Sequence, residues 1–130
     1  VFIVSSPSEL RYTDSHEWVR DNGDGTVTVG ITAHAQEALG ELVYVELPQA
    51  GRTLARGEAC AVVESTKAAS DVYAPLDGEV VAVNPGLADT PQAVNETPYT
   101  DGWLFRLKPA DTGAMAGLLS ADAYDNGPGA

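Results

Sequence analysis

The sequence predicts a mostly β, α+β domain: a quasi-two-fold sandwich or flattened barrel of antiparallel strands, with a short helix after the first hairpin and a C-terminal helical segment. Three observations predict it. Asn22-Gly23 and Asp24-Gly25 stand between two β-like segments, which is hairpin-turn chemistry. Residues 47–58 and 74–84 are similar half-motifs, each with a proline, a glycine three residues later and a short β-like run. The length of 130 residues suits one domain with a single core. Pro-x-x-Gly is also common turn chemistry that recurs by chance, so the two copies alone do not decide the architecture.

In chain order, residues 1–9 contain Ser5-Ser6-Pro7-Ser8 and read as a flexible leader before a domain at 10–124. Residues 15–20 and 26–31 form the first hairpin, with Val27, Val29 and Ile31 on one face. Thr32 is placed to cap a helix over residues 33–39, Gly40 to end it, and Ala35, Ala38 and Leu39 to give it an apolar stripe. Residues 42–47 resume the β pattern and Pro48 closes it. Residues 59–63 and 72–74 then read as strands on either side of a turn. Pro91 and Pro98 follow the Pro85 turn in a stretch with little periodicity, so residues 87–100 read as an ordered surface loop without regular structure. Residues 103–107 are a last strand, ended by Pro109. Met115, Leu118 and Leu119 lie at helical spacing, read as core packing, with Ser120 as a cap for one more turn. Residues 125–130 read as a flexible tail.

Composition excludes several functions. A formal charge of −12 argues against a nucleic-acid face, which needs a basic stripe, and against anionic membrane surfaces. No stretch has the apolar length of a membrane span, and residues 1–4 do not resemble a signal peptide, so a soluble protein is expected. The single cysteine, Cys60, lies in an apolar β run and reads as a small buried thiol. Asp14, His16, Glu17 and His34 lack a recognised metal-ligand spacing, and no phosphate loop or nucleophile elbow is present. No catalytic residue and no metal are expected.

The stretch that carries chemistry is residues 64–71, Glu-Ser-Thr-Lys-Ala-Ala-Ser-Asp. Its Lys67 is one of only two lysines, the other being Lys108. Ser65, Thr66, Ala68 and Ala69 are short, so a second protein can reach the ammonium group at the turn.

These residues, followed by Ala74-Pro75 and Gly78-Glu79-Val80, resemble the lipoyl-attachment region of the glycine cleavage H proteins. The resemblance extends to Ser15-His16-Glu17-Trp18-Val19, Gly30-Ile31-Thr32, Val45-Glu46-Leu47-Pro48 and Pro98-Tyr99-Thr100-Asp101-Gly102-Trp103. It implies a lipoyl-type barrel-sandwich hybrid whose cofactor is lipoic acid, covalently attached at Lys67 by a lipoate-attaching enzyme. It also implies a non-catalytic shuttle. A pyridoxal-phosphate glycine decarboxylase would pass an aminomethyl group to the arm, a tetrahydrofolate-dependent aminomethyltransferase would take the one-carbon unit, and dihydrolipoyl dehydrogenase would reoxidise the dithiol. The resemblance further implies a surface cleft that shelters the loaded arm, with Ser15, Glu17 and Asp71 as its matched positions. Thr100, the Asn22–Gly25 turn and Cys60 depart from the family pattern without touching the lysine motif.

Rival readings predict different neighbours. A biotin carrier would flank the lysine with methionines, where Thr66 and Ala68 stand. The lipoyl domain of a 2-oxoacid dehydrogenase usually has aspartate before the lysine and lacks the His16-Glu17-Trp18 region. An H-like protein relaying lipoate to other enzymes would share every motif and stays open, as does a plain β-sandwich interaction module. A monomer is expected, cytoplasmic in a bacterium or in the mitochondrial matrix of a eukaryote.

Overall fold

The computed structural model describes residues 7–129; most of the expected leader, residues 1–6, lies outside them. Two antiparallel sheets form the body. One joins β1 (Arg11–Tyr12), β2 (Glu17–Asp21), β3 (Val27–Ile31), β9 (Phe105–Pro109), β8 (Gly78–Val83) and β5 (Thr53–Leu54) in that order. The other joins β4 (Leu42–Glu46), β6 (Ala59–Ser65) and β7 (Ala69–Tyr73). The expected sandwich of antiparallel strands is what forms.

The half-motifs pair with each other. Gly51 N donates to Val80 O and Val80 N to Arg52 O, while Gly57 N donates to Ala74 O and Ala74 N to Glu58 O. Each proline-glycine corner thereby lies against the strand of the other copy, and the β6–β7 hairpin projects between them.

Between the sheets lies the main core, with Val19, Val29, Leu42, Val63, Val72, Leu76, Val80, Phe105 and Leu107 almost wholly buried. A second cluster of Leu10, Tyr12, Trp18, Ala121 and Tyr124 covers the outer face of β2. Alternation along β2 explains the division, because Trp18 points outward while Glu17 and Val19 point toward the other sheet. The Trp18 ring lies over Gly30, where an added Cβ would meet ring carbons at 2.6 Å. Gly30→Ala should therefore lower stability by about 1–3 kcal/mol, the usual range for overpacking, read as a lower urea midpoint at unchanged slope.

Helix α1 (Ala33–Leu39) occupies its predicted span, with Thr32 Oγ1 accepting from Ala35 N at 3.2 Å and Gly40 at φ 87°. Of the predicted stripe, Ala35 and Leu39 pack on the core, whereas Ala38 is exposed because a helix this short turns only one edge to the sheet.

Residues 87–100 carry more regular structure than the expected surface loop. They hold part of a 3-10 turn at Pro85–Ala88 and all of α2 (Ala93–Glu96), with Leu87 and Val94 buried. Tertiary contacts stabilise what short periodicity cannot reveal. Asn95 accepts from Leu42 N at 2.8 Å and donates to Gly40 O at 2.8 Å, tying α2 to the end of α1 and the start of β4.

The C-terminal segment also differs in detail. Met115 ends up in a 3-10 turn, Thr112–Gly117, but Leu118 and Leu119 are extended, and Leu119 exchanges backbone hydrogen bonds with Tyr12. Leu118 is buried in the main core and Met115 and Leu119 pack against the two clusters. Ser120 caps α3 (Ala121–Asp125), accepting from Ala123 N at 3.2 Å, and α3 brings Tyr124 into the second cluster.

Candidate functional site

Strands β6 and β7 pair as far as Glu64 opposite Ala69, and Ser65 N donates to Ala68 O at 2.8 Å to close the tip. Thr66, Lys67 and Ala68 are exposed. The tip is held from below by a residue the sequence reading noted only for its size. Ser65 Oγ accepts from Lys67 N at 3.2 Å and Ala68 N at 3.0 Å, and donates to Leu39 O at 2.7 Å, an otherwise orphan carbonyl at the end of α1. A serine two residues before the lysine was the available signal, since short hydroxyl side chains bond nearby backbone amides. Ser65→Ala should speed hydrogen exchange at the Lys67 and Ala68 amides by a factor of about five, the net worth of one hydrogen bond, as NMR would read it.

Beside the tip, a bulge in β4 between Leu42 and Tyr44 breaks the alternation, so that Val43 and Tyr44 are both 52% exposed. Tyr44 lies opposite Glu64.

At the other end of β7, Ser15 and Glu17 come together. Glu17 is 1% exposed, and its Oε1 accepts from Thr13 Oγ1 and from Ser15 Oγ, both at 2.6 Å. Its Oε2 faces Tyr73 N at a long 3.4 Å. Burial pushes the carboxyl above its ordinary pKa, while the Ser15 and Thr13 hydroxyls and the Tyr73 amide pull the other way. A carboxylate has about four acceptor positions, and this one is left with room for a further donor. The cleft it faces measures about 200 Å³ and is lined also by Arg56, Tyr73, Ala74 and Leu118. Arg56 and Tyr73 escaped the sequence reading because they reach the cleft only through the cross-pairing of the half-motifs.

Asp71 is not part of that lining. It is exposed on β7, opposite Val62, and borders a separate hollow with Glu46, Arg52 and Cys60. It does lie between Lys67 and Tyr73 along the strand, on the same face as Tyr73.

Cys60 is buried, donates to Val72 O at 3.4 Å, and is pushed up to about 12 chiefly by burial, with nearby Glu17 adding to the shift. Such a thiol does not supply a thiolate nucleophile near neutrality. No helix among the described residues is long and apolar enough to cross a membrane.

Two sheets joined by cross-paired half-motifs, with a lysine held out on a pinned hairpin, define a domain of the lipoyl-carrier architecture. The family model described as glycine cleavage H-protein matches residues 10–127. A glycine cleavage system H protein of Chromohalobacter salexigens is 63% identical over 119 residues, covering 92% of this chain and 91% of that one. The corresponding protein of Halorhodospira halophila is 63% identical over 118 residues, 91% of each chain. The crystal structure of a glycine cleavage system H protein from Mycobacterium marinum matches with a TM-score of 0.84 at 43% identity, covering 93% of this chain and 97% of that one. The chain belongs to the glycine cleavage H-protein family.

Proposed function

We propose that this chain is the lipoyl-carrying shuttle of the glycine cleavage system, with lipoic acid held in amide linkage to the Nζ of Lys67. The observation that carries the reading is the exposed Lys67 at the centre of a hairpin tip fixed by Ser65. An amide there removes the lysine charge and supplies, when bound, a flexible arm ending in a redox-active disulfide.

The chain's own work is presentation and shelter. Exposed Val43 and Tyr44 offer apolar surface beside the lysine on which a docking enzyme can rest. Glycine decarboxylase, aminomethyltransferase, dihydrolipoyl dehydrogenase and a lipoate-attaching enzyme are the partners this reading requires. At the cleft, Glu17 accepts a hydrogen bond from an ammonium carried at the end of the arm, and Ser15 holds the carboxylate in place. The incoming cation offsets the unfavourable burial of the Glu17 charge. Asp71 stands along the strand between tip and cleft as a way station for the same cation.

The test is intact and peptide-level mass spectrometry on the protein from its own host. A lipoyl increment on the Lys67 peptide with Lys108 unmodified is the expected outcome. Persistently unmodified Lys67, even after incubation with lipoate and an active ligase, would refute the reading. Glycine-dependent NADH formation with the three partner enzymes then separates glycine cleavage from lipoate relay.

A further inference from the structure

The turn that carries Ser15 and Glu17 is built on backbone that L-residues rarely adopt. Among the described residues His16 alone combines a side chain with a positive φ, at 72°. His16 N donates to Thr13 O at 3.3 Å and Thr13 N to Glu17 O at 2.9 Å, so residues 13–17 close tightly between β1 and β2. That closure gathers three side-chain oxygens. Thr13 Oγ1 and Ser15 Oγ lie 3.3 Å apart, and each donates to Glu17 Oε1.

Glycine would take this backbone freely. A histidine there points to work for its ring. The ring stacks on His34 of α1, with centroids 4.5 Å apart and planes within 19°. Its Nδ1 lies 2.6 Å from the Tyr124 hydroxyl of α3, which also meets Thr32 Oγ1 at 2.8 Å, and Tyr124 in turn stacks on Tyr12 at 4.8 Å. His16 is absent from the cleft lining, although its neighbours Ser15 and Glu17 are part of it.

We propose that His16 is a positioning residue, whose ring, clamped between His34 and Tyr124, holds the left-handed step that aims Ser15 and Glu17 into the cleft. The proposal rests on the reading of Glu17 as acceptor for the cation carried by the arm. It gives the C-terminal helix a function beyond covering Trp18, since Tyr124 closes the clamp.

The test uses His16→Gly, which keeps the backbone accessible while removing the ring, and Tyr124→Phe, which keeps the stack on Tyr12 while removing the hydroxyl. The first readout is the titration of the Glu17 carboxyl by carbon-13 NMR in protein without the arm. In both variants the midpoint should move off its wild-type value, toward that of an ordinary glutamate as water enters. The second readout is the survival of the aminomethyl-loaded lipoylated protein, which should shorten by a factor of about five, comparable to losing one hydrogen bond. An unchanged Glu17 midpoint in either folded variant would overturn the proposal, because a purely structural clamp would lower stability alone. Should His16→Gly fail to fold, Tyr124→Phe decides by the same criterion. If Glu17→Gln leaves the loaded form's lifetime unchanged while His16→Gly still moves the Glu17 midpoint, the cleft reading fails and the positioning role stands.

Discussion

Replacing Lys67 by arginine is expected to abolish lipoylation and, with it, all glycine-dependent NADH formation in a reconstituted system. The substitution nearly preserves size and keeps the charge, and the lysine is exposed, so the fold should be unaffected. What changes is chemistry. A guanidinium does not act as the acyl acceptor that an amine provides. Lys108→Arg is the control. Lys108 is exposed too, but it lies within β9, paired with Glu79 of β8, and not at a projecting hairpin tip. Modification should therefore persist in Lys108→Arg and vanish in Lys67→Arg, as intact mass reads directly. Residual activity in Lys67→Arg would mean that the chain serves by contact alone, as an interaction module would.

Much of this arrangement is legible in the sequence because it is local. The Asn22-Gly23 and Asp24-Gly25 turn, the Thr32 cap and the Gly40 stop each depend on a few adjacent residues, and each appears where its chemistry places it. The lysine tip is legible for the same reason. The cleft is only half legible: Ser15 and Glu17 are near neighbours in sequence, but Arg56 and Tyr73 join them through long-range pairing that no window reveals. Residues 87–100 mislead because prolines mask a 3-10 turn and a single helical turn held in place by Asn95. The helical spacing of Met115, Leu118 and Leu119 misleads in the opposite sense, since Leu119 gives its backbone to Tyr12 instead.

Glu17→Gln should have two effects of opposite sign, and their opposition is what marks Glu17 as a functional group. The first is on stability. Burial raises the Glu17 carboxyl above its ordinary pKa, so the folded state favours the protonated, neutral form. Below the unfolded value both states carry the proton, and the neutral amide of glutamine differs from the acid mainly in giving up the long contact from Tyr73 N, which its NH2 group cannot accept. As pH rises through the folded value, the wild type must ionise a buried group and loses stability, whereas the glutamine variant does not. Glu17→Gln should thus have the higher urea midpoint at neutral pH, with the gap closing as pH falls toward 4.5. The second effect is on the cargo. A neutral amide still accepts from Thr13 and Ser15 but no longer attracts an ammonium, so the loaded form should decay roughly 10–100 times faster, the worth of a hydrogen bond to a charged group. A gain in stability together with a loss of shelter is the signature of a residue kept for function at the expense of the fold. If the variant were no more stable at neutral pH, burial would not be the dominant influence on this carboxyl; if shelter were undiminished, the cation would have to be held elsewhere, with Asp71 the next residue to test.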